Sequence, residues 1–255
     1  MALDPAALRL CLVTDRMIAA GRPLVDIVGA ALRGGVTMVQ IREKSAPTRA
    51  FLEEARALKA LLAPLGAPLI VNDRIDIALA IDADGVHVGQ SGMPLDEARR
   101  LLGPDKIVGL SIVAEADMDR RDADAADYLG VGPIYAQTTK HDATPPLGVA
   151  GFRRIRARAR RPTIAIGGLT PVNSAPLLAS FGLCLFLAHF AALHSIEVRV
   201  GNRTRRLGEV LNLGTFQSMH FRRHLAQGEK QAANKESKGN PEQNCEALFD
   251  GQITE

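Results

Sequence analysis

Short apolar runs alternate with longer amphipathic stretches along the first three-quarters of the chain. Eight runs have the length and apolar content of buried strands: LRLCLVT (8–14), VTMVQI (36–41), PLIV (68–71), GVHV (85–88), KIVGLSI (106–112), DYLGVG (127–132), PTIAIGG (162–168) and LCLFLA (183–188). Seven stretches of helical pattern lie between them. In the stretch 48–66 Thr48 is the predicted N-cap, and the predicted buried face consists of Leu52, Ala55, Leu58 and Leu62.

This alternation predicts a parallel α/β fold, and eight units in roughly 200 residues favour a (β/α)8, or TIM, barrel. A doubly wound open sheet is the alternative, disfavoured because TDR rather than GxGxxG follows the first strand. The barrel domain is predicted over 1–195, with an atypical eighth unit. Residues 196–255 are predicted to be an atypical, partly disordered tail, since AQGEKQAANKESKGNPEQN has the composition of disorder.

The composition of the chain argues against nucleic-acid and membrane partners. A net charge of +3, 4% aromatic residues and no Trp argue against nucleic acid. No stretch is long and apolar enough for a membrane span, and no signal peptide is recognisable. The three cysteines, Cys11, Cys184 and Cys245, lie far apart, so we expect a reduced, cytoplasmic protein. A homo-oligomer is compatible with the sequence, which does not define the oligomeric state.

Polar residues follow the predicted strands, at the barrel end where chemistry is expected. Each has an ordinary reading when taken alone, as a solvated cation, a turn or a helix cap, and His87 between two valines predicts a hydrogen-bonded core histidine. Together, Arg42, Lys44 and Lys140 would place three cations at one mouth, which favours an anionic ligand such as a phosphate. Asp73 could hold Mg²⁺ beside that phosphate.

The motifs in this order resemble the thiamine phosphate synthase family over about residues 9–180. They are GGVTMVQIREK, PLIVNDRIDIALAIDADGVHVGQ, IVGLSI, DYLGVGPIYAQTTKHDATPPLG and TIAIGGLTPVN. The resemblance implies a Mg²⁺-dependent transferase acting on two phosphorylated small molecules. A hydroxymethylpyrimidine diphosphate would lose pyrophosphate, and the nitrogen of a thiazole phosphate would capture the resulting pyrimidinylmethyl cation.

The resemblance also implies site residues. The catalytic cations would be Arg42, Lys44 and Lys140, and the Mg²⁺ ligand would be Asp73. The pyrimidine diphosphate would contact Gln40, Arg42, Lys44, Asn72, Ser111 and Lys140. The thiazole phosphate would contact Gln137, Thr138, Thr139 and Gly168.

The chain departs from the family pattern in two places. Gly92 stands where a second Mg²⁺-ligating carboxylate is expected, so weaker metal affinity is predicted. From about Phe181 the sequence no longer resembles the family's eighth unit, and no Ser stands at the predicted strand end. A changed reading frame near residue 181 and ordinary divergence would each produce this pattern.

Two alternative functions therefore stay open. A thiazole tautomerase-like protein shares the fold but lacks the full diphosphate site, and the retained Arg42, Lys44, Asn72, Asp73 and Lys140 argue against it. A non-catalytic phosphate-ligand binder is motivated by Gly92 and by the altered eighth unit.

Overall fold

A computed structural model of the protein describes residues 3–119, 122–136, 144–170, 173–174 and 177, and the strands at 184–187, 197–200 and 203–206. By backbone contacts the chain divides into two compact units. One comprises Met1–Ala63 and Ala67–Gln217, and the other Pro64–Gly66 and Ser218–Glu255. The sheet and the candidate site described below lie in the first unit. Whether the chain divides into a domain at 1–195 and a tail stays a prediction.

Eight parallel strands form one sheet, and they coincide with the eight apolar runs of the sequence. They are β1 (Leu10–Val13), β2 (Met38–Ile41), β3 (Leu69–Asn72), β4 (Gly85–Val88), β5 (Ile107–Ile112), β6 (Tyr128–Val131), β7 (Thr163–Ala165) and β8 (Cys184–Leu187). Each strand pairs with the next, and β8 pairs with both β7 and β1, which closes the sheet. The predicted parallel α/β fold is confirmed.

Helices connect the strands in the described part of the chain. They are α1 (Arg16–Ala19), α2 (Leu24–Arg33), α3 (Thr48–Leu62), α4 (Ile75–Ala80), α5 (Leu95–Leu102), α6 (Asp122–Ala125) and α7 (Gly148–Arg158). Short 3₁₀ turns lie at Pro5–Leu8, Ala63–Leu65 and Glu115–Asp119. None of these helices combines the length and apolar character that crossing a membrane requires.

The longest of these helices, α3, shows how the apolar spacing fixes a buried face. Its fully buried residues are Phe51, Ala55, Leu58 and Leu62. Leu52, predicted on that face, is only half-buried, because Phe51 takes the position one residue earlier. Thr48 is the first helical residue rather than the N-cap, which is Pro47.

Strands β1 to β7 are buried along nearly their whole length, as expected for a parallel sheet covered by helices. Fully buried side chains such as Met38, Ile70 and Tyr128 fill the interior of the closed sheet. Because all the strands run the same way, their carboxyl ends meet at one edge, and the side chains that follow them are brought together there.

An antiparallel pair of strands, β9 (Glu197–Val200) and β10 (Arg203–Arg206), lies within the predicted tail. The sequence did not predict this pair. The other predictions for the tail concern residues outside the described part of the chain.

Candidate active site

Arg42 directly follows β2 and is held against the end of β1. Its backbone N–H donates to Thr14 Oγ1 at 3.0 Å, and its Nη1 lies 3.2 Å from Asp15 Oδ2. About a quarter of the Arg42 side chain is exposed. The guanidinium is thus oriented by one carboxylate and still reachable from solvent, an arrangement suited to binding an anion.

Glu43 turns inward and organises the loop between β2 and α3. Its Oε1 accepts hydrogen bonds from the backbone N–H groups of Ser45 (2.7 Å) and Ala46 (2.9 Å), and its Oε2 pairs with Arg16 Nε. Arg16 also reaches Glu54 Oε2 on α3 at 2.8 Å. Burial opposes the charge of Glu43, but these hydrogen bonds outweigh it and lower its pKa to about 2.

Asp73 is the centre of a polar cluster at the end of β3. Its Oδ2 accepts from Lys44 Nζ at 3.0 Å and from Asn72 Nδ2 at 2.8 Å, while its Oδ1 accepts from the Gly89 N–H at 3.2 Å. Burial would raise its pKa, but the lysine and the other donors lower it, so the carboxylate is ionised at neutral pH. Its backbone φ of 59° is unusual for a non-glycine residue and is typical of functional sites.

Gly92 lies beside this carboxylate. A Cβ built on Gly92 would stand 3.2 Å from Asp73 Oδ1. Position 92 is therefore in space where a second metal-ligating carboxylate could act with Asp73. Among the described residues no group of three or more His, Cys, Asp or Glu side chains could hold a metal ion.

Buried polar side chains lie behind the cluster, inside the closed sheet. His87 on β4 is 8% exposed, and its ring nitrogens contact Tyr128 Oη at 3.0 Å and Ser111 Oγ at 2.9 Å. Burial lowers the pKa of His87 to about 4, although Asp73 acts in the opposite direction. The predicted hydrogen-bonded core histidine is confirmed, and it contacts Ser111, one of the predicted substrate ligands.

Gly168 follows β7 in a turn that only glycine fits easily. Its φ is +64°, and an added Cβ would lie 2.6 Å from the Ala136 carbonyl oxygen. Asn173 Nδ2 donates to the Gly168 carbonyl at 2.9 Å. The backbone of two loops therefore approaches closely here, which is where the second phosphate site was predicted.

The structure brings together a part of the predicted site. Lys44, Asn72 and Asp73 are in direct contact. Ser111 contacts His87 in the buried polar group that also contains Tyr128, and Gln40 is buried on β2. The roles of all these residues stay predictions. The remaining predicted residues, which lie outside the described part of the chain, are Gln137, Thr138, Thr139 and Lys140.

Sequence reasoning assigned no role in the site to Glu43, Arg16 or Tyr128. The sequence offered one signal for Glu43, an acidic residue between two cations, and none that distinguished Tyr128 from an ordinary core aromatic. Their partners come from distant positions, so only the folded arrangement identifies them.

A parallel α/β fold with cations and ionised carboxylates at the carboxyl ends of its strands is typical of one class, the α/β enzymes that act on phosphorylated small molecules. Comparison with known proteins identifies the family. Residues 10–183 match the family described as thiamine monophosphate synthase, and the chain belongs to it.

Relatives and a solved structure agree with this membership. The chain is 53% identical over 172 residues to the thiamine-phosphate synthase of Albidiferax ferrireducens, covering 68% of this chain and 78% of that protein. It is 46% identical over 171 residues to that of Moorella thermoacetica, covering 67% and 81%. The thiamine phosphate pyrophosphorylase of Pyrococcus furiosus superposes with a TM-score of 0.65 at 29% identity, covering 88% of this chain and 98% of that one.

Proposed function

We propose that this protein is a thiamine phosphate synthase, which joins hydroxymethylpyrimidine diphosphate to thiazole phosphate and releases pyrophosphate. It is a transferase that moves a pyrimidinylmethyl group. The observation that carries the proposal is the contact of Lys44 and Asn72 with the ionised Asp73, in a chain that belongs to this family.

The proposed reaction needs stabilisation of a leaving group more than a strong base. The bond between the pyrimidine methylene carbon and the diphosphate oxygen breaks, and both electrons stay on pyrophosphate. The thiazole nitrogen then donates its lone pair to the cationic carbon and forms the new bond. Negative charge grows on pyrophosphate, so preorganised cations supply the main electrostatic contribution.

Different residues of this chain bind the diphosphate, the pyrimidine and the thiazole phosphate in the proposed reaction. Arg42, Lys44 and Lys140 bind the diphosphate as catalytic cations, and Asn72 binds it as well. Gln40, which is buried, and Ser111, which is half-buried, contact the pyrimidine. The thiazole phosphate is bound by Gln137, Thr138, Thr139 and the backbone at Gly168.

The donors at the end of β3 fit Mg²⁺. This ion is commonly held by one or two carboxylates, with the remaining positions filled by substrate phosphate oxygens and water. Asp73 is ionised and part-exposed, so it would hold the ion, whose charge would stabilise the departing pyrophosphate. Gly92 adds no carboxylate. Binding of the proposed ion therefore depends more on the diphosphate oxygens than it would if the protein supplied two acidic ligands.

A complete (β/α)8 barrel is part of this proposal. The closed order of eight parallel strands supports it, while the segment that would supply the last helix lies outside the described residues.

Pyrophosphate release tests the proposal, measured with Mg²⁺ and the pyrimidine diphosphate in the presence and absence of thiazole phosphate. We expect release and thiamine phosphate formation when both substrates are present. A tautomerase-like protein would release no pyrophosphate, and a non-catalytic binder would bind thiazole phosphate without turnover, so either result would reject the proposal.

A matched pair of lysine variants tests the role of the cations. Lys44→Met should lower the rate by about 10²-fold, as removal of one preorganised charge donor commonly does. Lys106→Met is the control, because Lys106 also pairs with an aspartate, Asp82, but precedes β5 at the opposite end of the sheet. Equal losses in the two variants would refute a catalytic role for Lys44.

A further inference from the structure

A chain of three hydrogen-bonded side chains crosses the interior of the closed sheet. The hydroxyl of Tyr128 on β6 lies 3.0 Å from Nδ1 of His87 on β4, and His87 Nε2 lies 2.9 Å from Ser111 Oγ on β5. Ser111, at one end of this chain, is proposed to contact the pyrimidine, while His87 and Tyr128 have no role in the proposed mechanism.

Two glycines fix the positions of the His87 and Tyr128 rings. A Cβ on Gly109 would lie 2.5 Å from His87 Nδ1 and 2.3 Å from Tyr128 Cζ. A Cβ on Gly130 would lie 2.9 Å from His87 Cε1. The two rings thus occupy space that any other residue at 109 or 130 would obstruct, and they have little freedom to rearrange.

The direction of the hydrogen bonds follows from which groups can donate. His87 is 8% exposed and both its ring nitrogens face neutral hydroxyls, so the ring is neutral, and one nitrogen donates while the other accepts. Burial raises the pKa of Tyr128, so its hydroxyl is protonated. Among the described residues His87 Nδ1 is the hydrogen-bond partner of that hydroxyl, so the Tyr128 O–H donates to Nδ1, and Nε2–H donates to Ser111 Oγ.

We propose that His87 and Tyr128 are positioning residues that make Ser111 a hydrogen-bond donor to the substrate. Because Ser111 Oγ accepts from His87, its own O–H is left to point at a ligand. A pyrimidine ring nitrogen carries only a lone pair and requires a donor. With the opposite direction, Ser111 would donate to His87 and offer the ring nitrogen only lone pairs. The identity of the ligand in this inference rests on the proposed function. The direction of the hydrogen bonds does not rest on it.

The tautomer of His87 tests the direction without any turnover. Long-range ¹H–¹⁵N spectra of protein labelled with ¹⁵N-histidine distinguish a ring protonated at Nε2 from one protonated at Nδ1. The chain has six histidines, and the His87 signal is the one missing from His87→Gln. We expect the Nε2–H tautomer at pH 7. The Nδ1–H tautomer would overturn the inference even if the protein catalyses the proposed reaction. If the protein showed no turnover, the tautomer would still decide the direction of the hydrogen bonds.

Kinetics test whether the two residues act through Ser111. Tyr128→Phe keeps the ring and removes the donor to His87, so the KM for the pyrimidine diphosphate should rise about 10-fold, the effect of one neutral hydrogen bond. The KM for thiazole phosphate should not change. In the Ser111→Ala background the same substitution should add little, because the group that it orients is absent. Additive effects, or equal changes in both KM values, would overturn the inference.

Discussion

Glu43→Gln is predicted to destabilise the protein although Glu43 contacts no substrate in the proposed mechanism. The substitution keeps an acceptor for the Ser45 and Ala46 N–H groups but removes the charge that pairs with Arg16. Folding lowers the Glu43 pKa from 4.5 to about 2. A shift of this size corresponds to about 3 kcal/mol at neutral pH. The Glu43 side chain is 4% exposed but that of Arg16 is 47% exposed, so solvent screens the pair in part and about 3 kcal/mol is an upper bound.

The pH dependence of this loss follows from the sign of the shift. The folded pKa lies below the unfolded one, so the stabilisation is fully present above pH 4.5 and is lost as pH falls toward 2. At pH 3 about 2 kcal/mol of it should have gone, because the unfolded carboxylate is then mostly protonated. The difference between the parent protein and Glu43→Gln should therefore fall from about 3 kcal/mol at pH 7 to about 1 kcal/mol at pH 3.

Urea unfolding at the two pH values measures this difference directly. Glu53→Gln is the matched control, since Glu53 is exposed on α3 next to Glu54, and it should change the free energy of unfolding by less than about 0.5 kcal/mol at either pH. If the cost of Glu43→Gln were the same at pH 7 and pH 3, the charge of Glu43 would not be what stabilises the loop, and the reasoning would be refuted.

Three further predictions concern the substrate and metal contacts. Gly92→Asp should raise Mg²⁺ affinity about 10-fold by adding a carboxylate beside Asp73, as measured by calorimetric Mg²⁺ titration; Gly92→Asn, of equal size and no charge, should not. Gly168→Ala should raise the KM for thiazole phosphate more than that for the diphosphate, because its Cβ would clash with the neighbouring loop. Gly103→Ala is the control and should change neither KM, since Gly103 also has a positive φ (+81°) but no described atom lies within 4 Å of the added Cβ. Arg42→Lys should raise the KM for the diphosphate about 10-fold, since lysine lacks the planar fork, and an unchanged KM in initial-rate assays would exclude a bidentate contact.

The strand positions could be predicted because burial on both faces leaves a strong mark on the sequence. Runs such as GVHV and KIVGLSI are short, nearly continuous in apolar character and separated by helical patterns, and the observed strands coincide with them. Once the strands are parallel, their carboxyl ends meet, so Lys44 and Asp73 could be placed near each other without knowledge of any side-chain contact. Topology supplied that part of the site.

Side-chain partners could not be predicted in the same way, because they depend on rotamers and on residues far apart in sequence. Glu43 stands between Arg42 and Lys44 in the chain, yet it turns away toward Arg16. The pattern of apolar residues does not distinguish a tyrosine from a phenylalanine at position 128. Only the contact of the Tyr128 hydroxyl with His87 shows why a hydroxyl matters there. The contacts of these residues are set by the folded structure, and the periodicity of apolar residues along the sequence does not predict them.

The eighth strand shows how differently fold and site respond to a change of sequence. The family match ends at residue 183, yet β8 at Cys184–Leu187 pairs with both β7 and β1. Closing a parallel sheet requires backbone hydrogen bonds from a short extended segment, and many apolar sequences satisfy that requirement. Holding a phosphate at the end of the same strand requires particular donors, and the serine expected there by family resemblance is absent. Strand pairing can therefore persist where the sequence no longer resembles the family, so we expect the proposed binding of thiazole phosphate to depend more on Gly168 and on residues 137–139.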